Sequence, residues 1–192
     1  MSHLGIAIAI LLNVQALTYR PLQRTDFPAI GALYAAMVAE LSLTYPRHQD
    51  AGGELIAWLA QDDPARWIAE VAVTDALPDG FGRPTGGDPV GVLFAHLDTR
   101  SFGHPKTVAS TEWLYVKPAH RAGRIAPTLM RRAIRRAKAA GCEAIEAAFV
   151  PGTEEQRRWE RFGFDKPYLG RAVLSQRRYD RMTEESHGRI RQ

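Results

Sequence analysis

The residues most able to do chemistry, by their types and spacing, lie between Tyr115 and Leu129. In this stretch a strand pattern stops at Pro118, a basic turn containing glycine follows, and an amphipathic helix pattern begins. A helix N-terminus presents unpaired N–H groups and about half a positive charge, so a turn of small residues before it can wrap a pyrophosphate. Arg121 and Arg124 add positive charge. The stretch therefore predicts a site for an anionic, phosphate-bearing ligand.

Strand–turn–helix phosphate sites also occur in P-loop proteins and in dinucleotide-binding folds, so the surrounding elements must discriminate between them. A P-loop ends in Gly-Lys-Ser/Thr, and a dinucleotide fold has an early β-α-β unit with a three-glycine fingerprint. The sequence contains neither pattern, and its turn comes late, after three strands that we expect to be antiparallel. A basic loop that only caps an ordinary helix is the remaining structural alternative.

The elements that must position this turn follow from apolar periodicity and from Gly and Pro residues. The predicted strands span 16–22, 67–74, 90–97, 108–116, 144–150 and a segment from 164, and the predicted helices run to about 42 and over 54–61, 124–140 and 153–161. Thr25 and Asp26 are expected to cap the first helix, and 78–89 is expected to be a loop because it holds four Gly and three Pro. This order predicts an α+β fold, a mixed α/β sandwich in which antiparallel strands lead into a β-α-β unit flanked by helices.

Composition limits the classes of protein to which the chain can belong. Its 192 residues, 45% hydrophobic and 24% charged, are typical of one soluble domain. Cys142 is the only cysteine, which excludes an intrachain disulfide and a multi-cysteine zinc site and favours the cytoplasm. We expect no metal. The net charge of +4 suits an anionic ligand but is too small and dispersed to indicate nucleic acid. The basic face of the 124–140 helix is accordingly interpreted as solvated; it comprises Arg131, Arg132, Arg135, Arg136 and Lys138.

The two ends of the chain differ in character. Residues 1–16 form an apolar extension whose core, 4–12, is too short to span a membrane. It has the apolar character of a signal peptide, but no Lys or Arg precedes it, which favours an extra strand, an interaction segment or an upstream extension over export. Residues 17–178 are the predicted domain, and 179–192 are a polar tail. The apolar start and exposed sheet edges make a homodimer an expectation.

With this turn and this order of elements, the sequence resembles the GCN5-related N-acetyltransferase (GNAT) superfamily over residues 17–178. The family's turn pattern is Gln/Arg-x-x-Gly-x-Gly/Ala, and R-A-G-R-I-A at 121–126 supplies its first and last residues. A Gly-Phe pair after the last helix, at 163–164, also agrees. The sequence departs from the pattern at Arg124, where the family usually has Gly, with Gly123 one place earlier. The resemblance implies a mostly antiparallel central sheet with splayed strands.

The resemblance also implies a co-substrate and a reaction. The main chain of Leu114, Tyr115 and Val116 is expected to bind the pantetheine arm of acyl-coenzyme A, most simply acetyl-CoA. The pyrophosphate would be bound by the turn and the start of the helix, that is by Arg121, Ala122, Gly123, Arg124, Ile125, Ala126 and Thr128. The acyl group would pass to an amine of a small molecule or a protein terminus by direct attack in a ternary complex.

Catalysis requires a base for the ammonium and a donor for the developing oxyanion. Glu112 is the first candidate base, because its strand should meet the thioester; an outward-facing, solvated Glu is the alternative. His96 and Glu146 are weaker candidates, and His120 is interpreted as a ligand contact or a surface residue. Cys142 is interpreted as structural.

The acid that protonates the leaving thiolate is in doubt. Many family members have a Tyr four residues before the Gly of the Gly-Phe pair, and this chain has Trp159 there. Tyr168 is the candidate substitute. The missing Tyr keeps open a second hypothesis, a non-catalytic acyl-CoA sensor or assembly protein. A nucleic-acid-associated protein is a third. The acceptor cannot be identified from sequence, because loops 43–53 and 75–89 would determine it.

Overall fold

A computed structural model describes residues 17–41, 50–82, 84–100, 106–148, 154–164 and 171–173 of the chain. Eight strands and four helices lie in these ranges. The strands are β1 (Leu17–Pro21), β2 (Trp67–Thr74), β3 (Leu77–Pro78), β4 (Pro84–Thr85), β5 (Asp88–Arg100), β6 (Lys106–Val116), β7 (Ala144–Ala148) and β8 (Arg171–Val173). The helices are α1 (Phe27–Leu41), α2 (Ala51–Gln61), α3 (Ile125–Ala139) and α4 (Glu154–Phe162).

Six strands form one sheet in the order β1-β2-β5-β6-β7-β8. Every neighbouring pair is antiparallel except β6 and β7, which are parallel and are joined through α3. The short strands β3 and β4 pair separately as a small hairpin. The predicted fold class, a mixed α/β fold with a mostly antiparallel sheet flanked by helices, is confirmed.

Strand β6 is paired unequally along its two edges. Its ladder with β5 runs from Lys106 to Val116, with a register shift that leaves Glu112 without an opposite residue. Its ladder with β7 covers only Val108 to Thr111. Within the described ranges, β6 and β7 are therefore splayed beyond Thr111, and the β7-side edge of 112–116 is open.

The two faces of the sheet are covered by different helices. On one face α3 contributes buried aliphatic residues, and α4 adds Trp159, to a core around β2, β5 and β7. The α3 members are the residues that its periodicity predicted, with Met130 in addition: Ile125, Leu129, Met130, Ala133, Ile134 and Ala137. On the other face α1 and α2 cover an aromatic core that includes Trp67, Phe94 and Trp113.

Two predicted local features are corrected. Neither Thr25 nor Asp26 is the N-cap residue; both lie in a 3₁₀ turn, Arg24–Asp26, whose N-cap is Gln23, and Asp26 takes the N3 position of a capping box with it. The buried Asp26 carboxylate instead accepts hydrogen bonds from the Arg20 guanidinium at 2.6 and 2.7 Å and from the Gln23 N–H at 2.7 Å. The segment 78–89, predicted to be a hairpin loop, does lie in the connection between the antiparallel strands β2 and β5, but it also contains β4 and part of the β3–β4 hairpin.

The basic face of α3 is also not wholly solvated. Glu70 on β2 is fully buried, and its carboxylate pairs with both Arg132 and Arg136. Arg136 donates a further hydrogen bond to the Ala69 carbonyl, at 3.1 Å. Two of the five residues interpreted as solvated thus fasten α3 to the sheet, because a buried carboxylate needs charged partners.

The predicted N-terminal extension 1–16, most of loop 43–53, and the tail 179–192 lie outside the described residues. Within the described ranges, every helix falls short of the length and hydropathy that a membrane-crossing segment requires.

Candidate functional site

The open edge of β6 exposes main-chain groups in a defined alternation. The Lys117 N–H donates to the Val90 carbonyl at 2.8 Å, which places Lys117 in a hydrogen-bonded pair with β5. Because such pairs alternate along an antiparallel ladder, the Tyr115 N–H and C=O also face β5, and those of Leu114 and Val116 face away. Of the three residues predicted to supply main-chain groups, Leu114 presents its N–H and C=O on the open edge, Val116 presents its N–H there while its carbonyl already accepts a bond from Arg121, and Tyr115 presents neither.

This edge leads into the predicted turn. A 3₁₀ turn, Pro118–His120, is followed by exposed residues 121–124, and α3 begins at Ile125 with Arg124 as its N-cap. The Arg124 side chain makes no capping bond, and the first helical bond runs from the Thr128 N–H to the Arg124 carbonyl at 3.0 Å. The N–H groups of residues 122–126 make no hydrogen bond to any other described residue. Such consecutive free donors at a helix N-terminus suit an anion.

Two glycines shape this turn in different ways. A Cβ placed on Gly123 would find only the His120 carbonyl within 4 Å, at 3.8 Å, so Gly123 leaves the surface over the free N–H groups open. A Cβ on Gly91 of β5 would come within 2.8 Å of the Ile125 side chain. Gly91 therefore lets the first residue of α3 approach the sheet closely, which fixes the free N–H groups beside the end of β6.

Arg121 is already engaged by protein groups. Its guanidinium forms a bidentate ion pair with Glu40 near the end of α1 and lies 5.3 Å from the centre of the Tyr115 ring. Its Nε donates to the Val116 carbonyl at 2.8 Å. The hydrogen bonds from Arg121 lower the pKa of Glu40, and burial raises the pKa of the Tyr115 hydroxyl. Arg121 thus ties α1 to the turn, whereas Arg124 is exposed and makes no ion pair with another described residue.

A cavity of about 670 Å³ opens on the α1–α2 face of the sheet. Its aromatic walls are continuous: the Tyr34 and Trp113 rings are 5.3 Å apart, Trp113 and Phe94 are stacked at 6.1 Å, and Trp58 meets Phe94 edge-on at 5.3 Å. Glu112 and Trp113 bring β6 into the lining immediately before Leu114. The cavity therefore meets the strand where its open edge begins.

The polar groups of the cavity are mostly acidic. Glu54, Asp62 and Glu112 line it, together with His96 and a single described arginine, Arg66. One carboxylate oxygen of Asp62, Oδ2, is buried and has no partner in the described part of the chain. Burial, and secondarily the charge of Glu54, raises the pKa of the Tyr34 hydroxyl.

His96 also belongs to a pair. Its Nδ1 lies 2.9 Å from Oδ1 of Asp98, two residues along β5. A carboxylate on one ring nitrogen fixes the ring's orientation and leaves the other nitrogen available to a ligand.

The structure brings together some of the predicted catalytic candidates and separates others. Glu112 and His96 line the same cavity. Glu146 lies in the same row of the sheet as His96, across Ser110, but not among the described residues of the lining. His120 is half-buried in the turn.

The other candidates lie apart from the cavity. Tyr168 lies outside the described residues. Trp159 is buried against Phe162 and Phe164 in the core of the α3 face. Burial raises the pKa of the Cys142 thiol. Thr128 is half-buried in the first turn of α3, where its hydroxyl accepts a bond of 3.3 Å from Arg131. Among the described residues, no group of three or more His, Cys, Asp and Glu is placed to hold a metal ion.

Sequence reasoning missed several residues that the fold brings to the site. Glu40 meets Arg121 across 81 positions of sequence, and no local pattern marks that pairing. Trp58 and Asp62 lie on or just after α2, which was predicted as a short helix over 54–61 with no role at the site. The available sequence signal was Trp58 itself, a large aromatic residue within the predicted helix, which the structure leaves 41% exposed at the cavity.

Comparison with known proteins gives this geometry a context. A profile of the acetyltransferase (GNAT) family matches residues 34–164. A GNAT family acetyltransferase from Brucella melitensis, solved in complex with acetyl-CoA, is 17% identical with a TM-score of 0.59, covering 84% of this chain and 88% of that chain. An aminoglycoside antibiotic 6'-N-acetyltransferase from Acinetobacter baumannii is 18% identical with a TM-score of 0.58, covering 80% and 93% of the two chains. A transcriptional regulator from Bacillus halodurans is 20% identical with a TM-score of 0.60, covering 81% and 97%. At these identities the likeness shows the fold. No curated protein sequence matches the chain.

Proposed function

We propose that this chain, which belongs to the acetyltransferase (GNAT) family, is an N-acyltransferase that uses acetyl-CoA as acyl donor and an amine as acceptor. The observation that carries the proposal is the continuity between the open edge of β6 and the free N–H groups of residues 122–126. An extended polar arm that ends in a pyrophosphate fits such a surface, since the edge offers strand-like hydrogen bonds and the turn offers anion-binding donors. The acetyl-CoA bound in the Brucella melitensis structure is consistent with this assignment.

Each part of the site would make a distinct contact. The Leu114 and Val116 main chains would bind the pantetheine amides, and the N–H groups of 122–126 would bind the pyrophosphate. The Arg124 side chain would replace the glycine flexibility of the family pattern with a positive charge near the phosphates. Arg121, held by Glu40 and Val116, would position the turn and the strand end, with Thr128 behind them in the first turn of α3.

The chemistry follows from placing an amine in the cavity beside this edge. Glu112 would take a proton from the acceptor ammonium, directly or through water, and the neutral nitrogen would attack the thioester carbonyl. A main-chain N–H on the open edge of β6 would donate to the developing oxyanion. The carbon–sulfur bond would then break and release coenzyme A as a thiolate. The second proton that the nitrogen must lose would pass to that thiolate, directly or through water, and at a thiol pKa near ~8.5 this needs little assistance.

His96 is a second candidate base, because Asp98 orients its ring and both His96 and Glu112 line the cavity. The pH dependence of turnover in variants separates the two, because a general base must be deprotonated to act and its removal abolishes that dependence. Loss of the acid limb of activity, the fall in turnover as the base is protonated, in Glu112→Gln but not in His96→Gln would assign the proton transfer to Glu112. The opposite pattern would assign it to His96.

The acid for the thiolate remains a proposal. Trp159 occupies the family position of the acid and is buried in the core. Tyr168 would serve, or solvent would. This absence favours one alternative worth testing, a protein that binds acyl-CoA as a sensor or assembly factor without transferring the acyl group.

Two measurements test the proposal in sequence. Calorimetric titration with acetyl-CoA should show saturable binding; no heat at near-millimolar ligand would reject both the enzyme and the sensor. Thiol release with a panel of small amines and N-terminal peptides should then show acceptor-dependent turnover, whereas binding without release would favour the sensor. A cytoplasmic location and a homodimer stay predictions, and sedimentation of the full chain tests the latter.

A further inference from the structure

The cavity on the α1–α2 face has a composition that selects among amines. Two carboxylates, those of Asp62 and Glu112, line it beside Glu54, which already has an interaction partner, and the one described guanidinium in the lining is that of Arg66. Carboxylates concentrated at one concave surface attract cations and repel carboxylates. An acceptor with its own carboxylate is therefore disfavoured there.

Among these carboxylates, Asp62 is the one whose environment most favours a nearby cation. It is the C-cap residue of α2, where the helix dipole is negative and does not stabilise a carboxylate. Its Oδ2 is buried, faces no partner among the described residues, and belongs to a side chain that lines the cavity. A carboxylate with a buried, unpartnered oxygen is costly, and a ligand cation held in the cavity beside this side chain would offset its charge.

The aromatic walls add a requirement for shape. Trp58 is 41% exposed although it lines the cavity, and its ring contacts Phe94, another lining residue, at 5.3 Å. An exposed indole over a cavity offers a face on which a flat apolar surface stacks, or an ammonium group rests. A linear alkylamine would leave that face uncovered.

We infer that the acceptor is a small primary ammonium whose carbon skeleton offers a flat apolar face and carries no carboxylate. The inference rests on the proposed function for the identity of the reaction and on the cavity alone for the identity of the ligand. An aryl ring and the C–H face of an aminosugar both supply the required surface. Glu112 and His96 would meet the reacting ammonium, and Trp58 and Asp62 would hold the remainder of the molecule.

Matched ligands test this inference by direct titration into the protein, with and without saturating coenzyme A. Phenethylamine should bind at least about tenfold more tightly than phenylalanine, which adds only a carboxylate, and than propylamine, which lacks the ring. Neamine, an aminosugar, is titrated in parallel. If neamine binds more tightly than phenethylamine, the flat face belongs to a sugar ring; if phenethylamine binds more tightly, it belongs to an aryl ring. Equal or tighter binding of phenylalanine would overturn the inference, as would equal binding of propylamine.

Variants locate the binding in this cavity. Asp62→Asn removes the charge without changing shape, and Trp58→Leu removes the ring while keeping apolar contact with Phe94. Each should weaken binding of the favoured amine by about tenfold and leave coenzyme A affinity unchanged. Asp63→Asn is the matched control, because Asp63 is exposed, caps a 3₁₀ turn through the Ala65 N–H and does not line the cavity.

The outcomes separate this inference from the proposed function. If coenzyme A fails to bind and the amine binds with the expected dependence on Asp62 and Trp58, the acyltransferase is rejected and the amine site stands. If coenzyme A binds and the variants leave amine binding unchanged, the acyltransferase stands and the amine site is rejected.

Discussion

The two faces of the sheet use the same strands for different purposes. The α3 face is packed with aliphatic side chains and crossed by the ion pairs of buried Glu70 with Arg132 and Arg136. The α1–α2 face is aromatic and encloses a cavity of about 670 Å³ bordered by carboxylates. The first face fixes where α3 begins, and so where the free N–H groups lie. The second leaves room for a ligand. Substitutions on the α3 face should therefore change the free energy of unfolding, and substitutions on the α1–α2 face should change ligand affinity or turnover.

The two edges of strand β6 also differ in role: one is used by the fold and the other is left for a ligand. The edge shared with β5 is paired to Val116 and builds the fold. The edge toward β7 is unpaired beyond Thr111 in the described ranges and is open to a ligand. The site therefore offers a ligand the main-chain groups of β6 that make no hydrogen bond within the sheet.

The largest expected effect is on stability. Replacing Arg132 and Arg136 together with Met leaves the Glu70 carboxylate buried without its partners, which should lower the free energy of unfolding by about 3 kcal/mol. Urea denaturation measures this change. Adding Glu70→Met to the double variant should recover most of the loss, because the charge and its partners are then removed together. A double variant as stable as the parent protein would mean that these pairs do not fasten α3.

On the opposite face, Glu112→Gln should lower kcat about a hundredfold, the scale of a lost general base. Coenzyme A affinity and unfolding midpoint should not change, since Glu112 is exposed and opposite no residue of β5. Initial rates of thiol release measure the effect, with Glu160→Gln on the exposed side of α4 as control. Unchanged turnover would remove Glu112 from the chemistry.

Gly91→Ala should affect both properties, because Gly91 sets the distance between the sheet and the start of α3. The added Cβ would press on the Ile125 side chain at 2.8 Å, which overpacks the core. We expect a loss of about 1–2 kcal/mol in stability and weaker coenzyme A binding. Gly80→Ala, where nothing lies within 4 Å of the added atom, is the control. Weaker binding without lower stability would show that the contact acts only on the ligand.

Gly123→Val should affect only the turn that presents the free N–H groups of residues 122–126. A side chain there has open space in the free protein, so stability should hold, but it would cover the N–H groups of 122–126. Coenzyme A affinity should fall about tenfold, by calorimetry, with Gly80→Val as the matched bulky substitution. Normal affinity would mean that the phosphates bind elsewhere.

The smallest effect concerns pH. Because Arg121 lowers the pKa of Glu40 below its unfolded value, the ion pair is fully formed above the ordinary carboxyl range and is lost as pH falls through the lowered value. Glu40 is exposed, so the contribution to stability should be small. Glu40→Gln should remove an acid-induced loosening of the turn, seen as amide chemical-shift changes near Arg121 between neutral and acid pH. The same shifts in the variant would show that another group titrates.

Much of the framework was predictable from sequence, for reasons visible in particular elements. Strand β2 was predicted with its observed bounds because an apolar run lies between a proline-containing turn and polar residues. Helix α3 was predicted to within one residue at each end because its buried residues recur at helical spacing and glycine follows it. The turn at residues 118–124 was placed correctly because a predicted strand ends before it and the helical spacing of α3 begins after it.

The remaining features depend on long-range packing. Nothing local marks Glu112 as the residue left over when β5 and β6 pair, or Glu70 as the partner of two arginines more than 60 positions away. The corrected cap of α1 is more local, since Arg20, six residues before Asp26, binds the Asp26 carboxylate. Charge and spacing predict which residues are able to interact, and the tertiary fold decides which of them do.

Amide hydrogen exchange by nuclear magnetic resonance, with and without coenzyme A, tests the central claim most directly. The amides of Leu114, Val116 and residues 122–126 should become protected when coenzyme A binds, whereas Tyr115, already directed at β5, should exchange slowly in both states. If coenzyme A binds and those amides stay unprotected, the open edge and the turn are not its site.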